Sequence, residues 1–175
     1  MKTFDNKVAV VTGASSGQGR GLAKMFAEEG YTVVGGARRQ NELDELVKEI
    51  AANGHPAAYG VKCDVRKFED CQNLIKTAEE IGPVHILMNC AGVMYFTLMK
   101  NARKDQWWET IDTNCKGLVQ CTGEVLPHMR ARGAGHILNI SSDCSRMLFP
   151  ALSVYCASKA FVQMFSKGLR AECVG

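Results

Sequence analysis

Short apolar runs alternate with longer amphipathic stretches five times along the chain, and this alternation restricts the possible folds more than any other feature. The apolar runs are typical of buried parallel strands and lie at 7–12, 31–37, 57–65, 84–88 and 136–140. The amphipathic stretches predict helices at 21–30, 41–52, 68–81, 105–132 and 154–170. Alternating strands and helices form a parallel sheet with helices on both faces and right-handed crossovers. The sequence therefore predicts an α/β fold built on a doubly wound parallel sheet.

Local signals indicate how two of the helices begin or bend. Asn41 is a good N-cap residue for the second helix, and Gly54 follows the end of that helix. Pro127 lies in the helix predicted at 105–132, where a proline should cause a kink or mark the last turn. Asn114 lies within the same helix, although Asn favours caps and turns over helix interiors.

The composition argues against several classes of protein. A chain of 175 residues without internal repeats, linkers or low-complexity segments predicts one domain over 1–175. The net charge of +3 is small and the basic residues are scattered, which argues against nucleic acid as a partner. No apolar run is long enough to span a bilayer, and residues 1–7 lack the apolar core of a secretory signal. We therefore expect a cytoplasmic protein without a membrane partner.

The eight cysteines are numerous for a chain of this length. Most of them fall beside or within predicted strands and helices, and no CxxC motif occurs. The four histidines do not lie near cysteines at zinc-binding spacing. We therefore expect free thiols in a reducing compartment and no metal site.

A glycine-rich segment with Gly13, Gly17 and Gly19 connects the first strand to the first helix. Backbone amides at a helix N-terminus bind phosphate, and glycines allow a pyrophosphate to approach the backbone. The spacing is GxxxGxG rather than the common GxGxxG. A plain turn is the alternative, but the position at the first strand–helix junction favours a dinucleotide site.

The end of the second strand discriminates between the two nicotinamide cofactors. An NAD site places an acidic residue there to bind the ribose 2′-hydroxyl, but here the strand is followed by Arg38 and Arg39. A guanidinium binds a 2′-phosphate through charge-assisted hydrogen bonds. We therefore predict NADP(H), with Arg38 preferred and the Ser15 hydroxyl as a further ligand of the phosphate. Solvated loop arginines are the alternative.

A phenol and an ammonium, from Tyr155 and Lys159, are one turn apart on the last predicted helix and share one of its faces. Ser142 follows the fifth strand, and ligands of open α/β sheets bind at the carboxyl ends of the strands. Taken alone, Tyr155 could equally be an amphipathic packing residue, Lys159 a solvated charge and Ser142 a turn residue.

An ordered set of motifs distinguishes between these alternatives. The set consists of TGASSGQG at 12–19, Asp64, NCAG at 89–92, Asn114, Ser142, Tyr155 and Lys159. In this order and at this spacing, the chain resembles the short-chain dehydrogenase/reductase family over nearly its whole length. The segments IDTNCKGLV and SKAFVQMFSKGLRAE are most similar to the NADP-dependent branch that oxidises 3-hydroxy acids and hydroxy amino acids such as serine.

The resemblance implies an NADP(H)-dependent enzyme that transfers a hydride between nicotinamide and a hydroxyl or carbonyl group of a small substrate, such as a 3-hydroxy acid, alcohol or ketone. It implies Tyr155 as general acid/base and Ser142 as a ligand of the substrate oxygen. Lys159 would hold the nicotinamide ribose, and Asn114 would hold a water molecule in the proton relay. The implied cofactor-binding residues are Gly13, Ser15, Ser16, Gly17, Gln18, Gly19, Arg38, Arg39, Asp64, Val65, Asn89, Ala91, Gly92, Tyr155 and Lys159.

The chain departs from the family pattern in three respects. Gln18 stands where the family usually has an apolar residue, and Cys90 replaces the second Asn of NNAG. Family members also continue into further strands, a substrate-covering loop and a closing helix. We therefore expect a Rossmann-type sheet of five strands that lacks the C-terminal strands, as the N-terminal part of a longer enzyme.

The resemblance leaves the substrate and the assembly less defined. By resemblance, the helices that carry Asn114 and Tyr155 form the interface of a homodimer or homotetramer. An apolar pocket could be lined by 94–96 and 147–149, and Arg146 could meet a carboxylate, although packing and loop roles are the alternative for each. A non-catalytic sensor or scaffold that binds NADP(H), and an inactive fragment, are the alternative functions.

Overall fold

A five-stranded parallel sheet forms the centre of the structure, a computed structural model that describes residues 7–173. The strands are β1 (Val8–Thr12), β2 (Thr32–Ala37), β3 (Ala58–Lys62), β4 (Val84–Asn89) and β5 (His136–Asn139). Their order in the sheet is β3-β2-β1-β4-β5, and all the pairings are parallel. The predicted α/β fold with a doubly wound sheet is confirmed. Of residues 1–7, whose lack of an apolar core supports the expected cytoplasmic location, 1–6 lie outside the described part of the chain.

Helices connect the strands and cover both faces of the sheet. They are α1 (Gly17–Glu28), α2 (Gln40–Ala52), α3 (Phe68–Ile81), α4 (Lys104–Ile111), α5 (Gly117–Arg132) and α6 (Ser153–Cys173). Between 7 and 173, no helix combines the length and the apolar character that crossing a membrane would require.

The second helix begins earlier than predicted. Arg39, with extended backbone angles, is the N-cap residue, so the prediction of Asn41 as the cap is wrong. The Gln40 side chain donates to the Asp44 carboxylate at 2.8 Å and to the Gly60 carbonyl at 3.2 Å. These bonds fix the first turn of α2 beside β3.

The long helix predicted at 105–132 contains an irregular turn. A π-helical turn, Asp112–Lys116, joins α4 to α5 and carries Asn114. In this wide turn the Gly117 amide donates to the carbonyl of Asp112, five residues back. Pro127 lies inside α5, which continues to Arg132 as predicted.

Alternate side chains of the central strands pack on opposite faces of the sheet. Val8 and Val10 of β1 belong to a cluster with Leu74 of α3 and Val125 of α5. The second cluster contains the neighbouring Val11, together with side chains of α1 and α2. This period of two places one hydrophobic core on each face and holds the carboxyl ends of the strands at one edge.

The outer strand β5 pairs with β4 alone within the described residues. Its other edge borders a cavity of about 780 Å³ between α5 and α6. Within residues 7–173, the sheet thus has the five predicted strands, and β5 lies at its edge. Open edges of this kind are sites where further strands can add.

The eight cysteines are free thiols, as predicted. Cys63, Cys71, Cys121 and Cys156 are buried, whereas Cys173 is exposed. Across residues 7–173, no three potential metal ligands are grouped closely enough to hold an ion.

Candidate functional site

Two adjoining cavities open where the strands end. The first cavity, of about 430 Å³, contains the glycine-rich segment in its lining. The second cavity, of about 460 Å³, contains Ser142, Tyr155 and Lys159. The residues that line both cavities are Gln18, Cys90, Gly92 and Val93. The two cavities therefore form one continuous cleft.

Most residues predicted to bind the cofactor line the first cavity. They are Gly13, Ser15, Ser16, Gly17, Gln18, Gly19, Arg38, Arg39, Asp64, Val65, Ala91 and Gly92. Tyr155 and Lys159 line the second cavity, and Asn89 lines neither. The structure thus brings together the sequence motifs that are far apart along the chain.

The glycine-rich segment requires glycine for close packing. A Cβ at Gly19 would lie 2.3 Å from the Gly13 carbonyl oxygen, which no real contact allows. Gly13 has a φ of 70° and its amide donates to the Gly36 carbonyl at 2.8 Å. Ser16 is the N-cap residue of α1 but makes no side-chain capping bond. The first-turn amides of α1 therefore have no side-chain cap competing for them.

The two arginines after β2 have different partners. Arg39 donates from Nη2 to the hydroxyls of Ser15 at 3.0 Å and Ser16 at 2.8 Å. Arg38, the guanidinium preferred from the sequence, pairs instead with Glu109 of α4 at 3.1 Å. Arg39 is thus the guanidinium that contacts the glycine-rich segment, while both arginines line the first cavity.

Asp64 lies in the first cavity beside an arginine that the motifs did not indicate. The Arg66 guanidinium donates to both carboxylate oxygens, at 2.8 Å from Nε and 2.6 Å from Nη2. These bonds hold the pKa of Asp64 below its usual range. The carboxylate therefore stays charged at neutral pH.

The segment after β4 is attached to the end of β1. The amides of Cys90 and Ala91 both donate to the Thr12 hydroxyl at 3.1 Å. Asn89 points elsewhere, since its buried amide donates to Asn139 of β5 at 2.9 Å and Thr122 of α5 at 3.2 Å. The sequence predicts Asn89 beside the cofactor. In the structure, its side chain instead connects β4 to β5 and α5.

Tyr155 and Lys159 face the second cavity from α6. The Lys159 Nζ atom lies 5.7 Å from the centroid of the Tyr155 ring and donates to the Ile140 carbonyl at 2.8 Å. Lys159 is only 7% exposed, and this burial lowers its pKa. Ser142 accepts a bond from the Cys144 amide at 3.2 Å, so its hydroxyl proton is free for another acceptor.

Asn114 supports the cleft from behind. Its Oδ1 accepts from the Val93 amide at 2.9 Å, and its Nδ2 donates to the Val93 carbonyl at 2.9 Å and the Ser158 hydroxyl at 3.0 Å. Ser158 in turn donates to the Tyr155 carbonyl at 2.7 Å. Both amide hydrogens are in use, so only an Oδ1 lone pair remains for a water molecule. The predicted relay role of Asn114 stays a prediction.

Two loops with exposed apolar side chains lie next to the second cavity. The Thr97 amide donates to the Ala151 carbonyl at 2.8 Å, which connects the loop after β4 to the loop before α6. Met94 lines the second cavity, but Arg146 lines neither cavity. The structure therefore gives no support to Arg146 as a carboxylate ligand.

Sequence reasoning missed Arg66 and Glu109. Arg66 lies two residues from Asp64, and this proximity to a motif residue was the available signal. Glu109 is 71 residues from Arg38 and 43 from Arg66, so no local sequence pattern predicts these contacts.

Comparison with known proteins identifies close similarities. Residues 7–174 match the family described as short chain dehydrogenase. Over 173 residues, the chain is 48% identical to the glycine betaine reductase ATRR of Emericella nidulans. This match covers 98% of the chain and 14% of that relative, so the chain spans a small part of its length.

Two further similarities involve proteins whose names mention NADP. A probable NADP-dependent dehydrogenase of Haemophilus influenzae is 38% identical, with 100% of this chain and 68% of that relative covered. The closed form of a serine dehydrogenase complexed with NADP⁺ has a TM-score of 0.89 and 36% identity. That alignment covers 96% of this chain and 67% of the other.

Proposed function

The chain belongs to the short-chain dehydrogenase family, and from this premise we propose that it is an NADP(H)-dependent oxidoreductase. It interconverts a hydroxyl group and a carbonyl group on a small substrate. The observation that carries this proposal is the continuity of the cleft. The glycine-rich segment lies at one end, and Ser142, Tyr155 and Lys159 lie at the other.

The residues of the first cavity fit a phosphorylated dinucleotide. Gly17 has open space where a Cβ would lie, which leaves room for a pyrophosphate beside the uncapped first turn of α1. Gly13 and Gly19 allow the segment itself to pack tightly. Arg38 and Arg39 supply positive charge for a 2′-phosphate, and Ser15 supplies a hydroxyl. A bound NADP(H) would donate or accept the hydride, which is chemistry that side chains do not provide.

The residues of the second cavity are suited to moving a proton at the substrate oxygen. The Tyr155 phenol is the acid/base group, and the Lys159 ammonium stabilises its phenolate form. Ser142 donates a hydrogen bond to the substrate oxygen, where negative charge develops. Asn114 holds Val93 and α6 in place behind these groups.

The names of two similar proteins suggest candidate substrates for this chain. Serine and glycine betaine are named for two proteins that this chain resembles. Small hydroxy acids, alcohols and ketones are therefore the first candidate substrates, and the aldehyde of glycine betaine belongs in the same panel of test compounds.

We also propose that the chain self-associates through α5 and α6.

The test is a set of absorbance assays with this panel. Aldehydes and ketones are incubated with NADPH, and alcohols and hydroxy acids with NADP⁺. Tyr155→Phe should lower turnover about a thousandfold or more, because the ring remains but the hydroxyl that exchanges a proton with the substrate is lost. NADPH affinity, measured by fluorescence, should be nearly unchanged. Tyr59→Phe, on β3 outside both cavities, is the matched control and should keep wild-type turnover.

Each alternative function gives a different result. NADPH binding without turnover of any panel member would favour a non-catalytic sensor or scaffold. An inactive fragment would lack turnover and a cooperative thermal transition. Substantial turnover by Tyr155→Phe would remove Tyr155 from the acid/base role.

A further inference from the structure

The Glu109 carboxylate of α4 is the centre of a hydrogen-bond network at the side of the first cavity. Its Oε1 accepts from Arg38 at 3.1 Å and from Arg66 at 3.4 Å. Its Oε2 accepts from the Tyr95 hydroxyl at 2.6 Å. The Tyr95 bond, the two arginines and their charges hold the pKa of Glu109 below its usual range. Glu109 therefore carries a full negative charge at neutral pH.

This charge acts on one of the two guanidiniums proposed for the 2′-phosphate. Arg38 lines the first cavity and is about half exposed, with Glu109 as its ion-pair partner. Within residues 7–173, the Arg39 side chain forms no ion pair, and its hydrogen bonds go to the hydroxyls of Ser15 and Ser16. The two arginines thus differ in how much positive charge they offer a ligand.

The charge of the Asp64 carboxylate, which also lies near these arginines, is balanced by Arg66. Asp64 is bound by Nε and Nη2 of Arg66, a two-pronged contact that occupies most of that guanidinium. Arg66 reaches Glu109 only with its remaining Nη1, at the longer distance of 3.4 Å. Glu109 therefore depends on Arg38 for its closest positive charge, and Tyr95 holds it in this position.

We propose that Glu109 is a specificity-determining residue that reduces the preference for NADP(H) over NAD(H), because its carboxylate competes with the 2′-phosphate for Arg38. A 2′-phosphate bound to Arg38 would carry a negative charge, as Glu109 does, so the two would repel each other across the same guanidinium. A cofactor without this phosphate leaves the Arg38–Glu109 pair intact. This inference rests on the proposed cofactor.

The test measures binding directly, by calorimetry, for two matched pairs of ligands. NADP⁺ is compared with NAD⁺, and adenosine 2′,5′-bisphosphate with AMP, so that each pair differs only in the 2′-phosphate. Glu109→Gln removes the charge but keeps the size of the side chain and one of its two accepting oxygens. It should tighten binding of both phosphorylated ligands about fivefold and change the other two by less than about twofold. The gain should shrink as salt is added.

Further variants isolate the mechanism. Glu80→Gln makes the same charge change on an exposed side chain in the last turn of α3, at the opposite edge of the sheet, and should change neither pair. In an Arg38→Gln background, Glu109→Gln should no longer affect the phosphorylated ligands, because the shared guanidinium is gone. Glu109→Ala should shift the affinities in the same direction as Glu109→Gln, and it replaces that variant if thermal unfolding shows a folding defect.

The outcomes separate this inference from the proposed function. Wild-type binding of NADP⁺, combined with equal effects of Glu109→Gln on both members of each pair, would overturn the role of Glu109 and leave the proposed function standing. Weaker binding of the phosphorylated ligands would also overturn it. If the wild type binds neither NADP⁺ nor adenosine 2′,5′-bisphosphate, the proposed function and this inference are both wrong.

Discussion

Lys159 carries a charge at a position from which water is largely excluded. It is buried on α6, and its Nζ donates to the Ile140 carbonyl. A buried ammonium is less stable than an exposed one, which is why its pKa is lowered from the ordinary value of 10.5. Folding therefore holds the Lys159 ammonium in an unfavourable environment, and groups with such shifted pKa values are frequent at active sites.

This burial predicts a specific pH dependence of stability. Between the lowered pKa of the folded state and 10.5, the unfolded chain binds more protons at Lys159 than the folded chain does. The free energy of unfolding contributed by this residue should therefore rise with pH in that window. Lys159→Met should lack this rise and should lower turnover at least about a hundredfold. Urea unfolding at a series of alkaline pH values measures the difference between variant and wild type.

An exposed lysine provides the control for this prediction. Lys48→Met, on the surface of α2, should keep the wild-type pH dependence and turnover. Parallel stability curves for the wild type and Lys159→Met would show that the burial of Lys159 has no energetic consequence.

At the scale of single elements, the position of α1 depends on one glycine. Gly19 lies in the first turn of α1, directly against the Gly13 carbonyl. Gly21 lies two residues later in the same helix, and a Cβ there would meet nothing within 4 Å. The same substitution should therefore have opposite effects at these two positions.

Gly19→Ala should destabilise the fold by about 1–3 kcal/mol, because the added methyl group forces α1 away from the end of β1. It should also weaken NADP(H) binding. Gly21→Ala should instead stabilise the fold by about 0.5–1 kcal/mol, because alanine is the better helix former. Chemical denaturation of both variants measures these changes. Equal effects of the two substitutions would contradict the packing argument.

The sequence predicts regular elements better than it predicts their contacts. The strands and helices follow from apolar periodicity, and the sheet follows from their alternation. The wide turn around Asn114 was not predicted. Its defining hydrogen bond joins backbone groups five residues apart, and no particular residue type is required for that bond. The order of preference between Arg38 and Arg39 depended on Glu109, whose carboxylate approaches only in the folded chain. Asn89 turned toward β5 for a similar reason, since its partners Asn139 and Thr122 are distant in sequence.

At the scale of the whole molecule, α5 and α6 leave large apolar side chains on the surface. Val119 of α5 and Phe161 of α6 are 39% and 40% exposed, and Met164 of α6 is 68% exposed. The rings of Phe161 and Phe165 are stacked with centroids 5.9 Å apart. Grouped exposed apolar side chains are typical of surfaces that bind another protein.

Met164→Lys should therefore weaken self-association, because a charge is costly to bury in an apolar interface. Light scattering at micromolar concentration should show a lower average mass than the wild type. Met25→Lys makes the same change at an exposed position of α1 and should leave the mass unchanged. A monomeric wild type under these conditions would contradict the proposed assembly.

The wide turn at Asp112–Lys116 also sets the rotational phase of the helix that contains it. Thr110 of α4 and Met129 of α5 are both buried, yet nineteen positions separate them. On a regular α-helix they would point about 100° apart, and one extra residue in the turn removes this offset. Deleting a residue within Asp112–Lys116 would therefore act as a rotation rather than a shortening. It would turn the buried side of α5 away from β4 while leaving the helix itself unbroken.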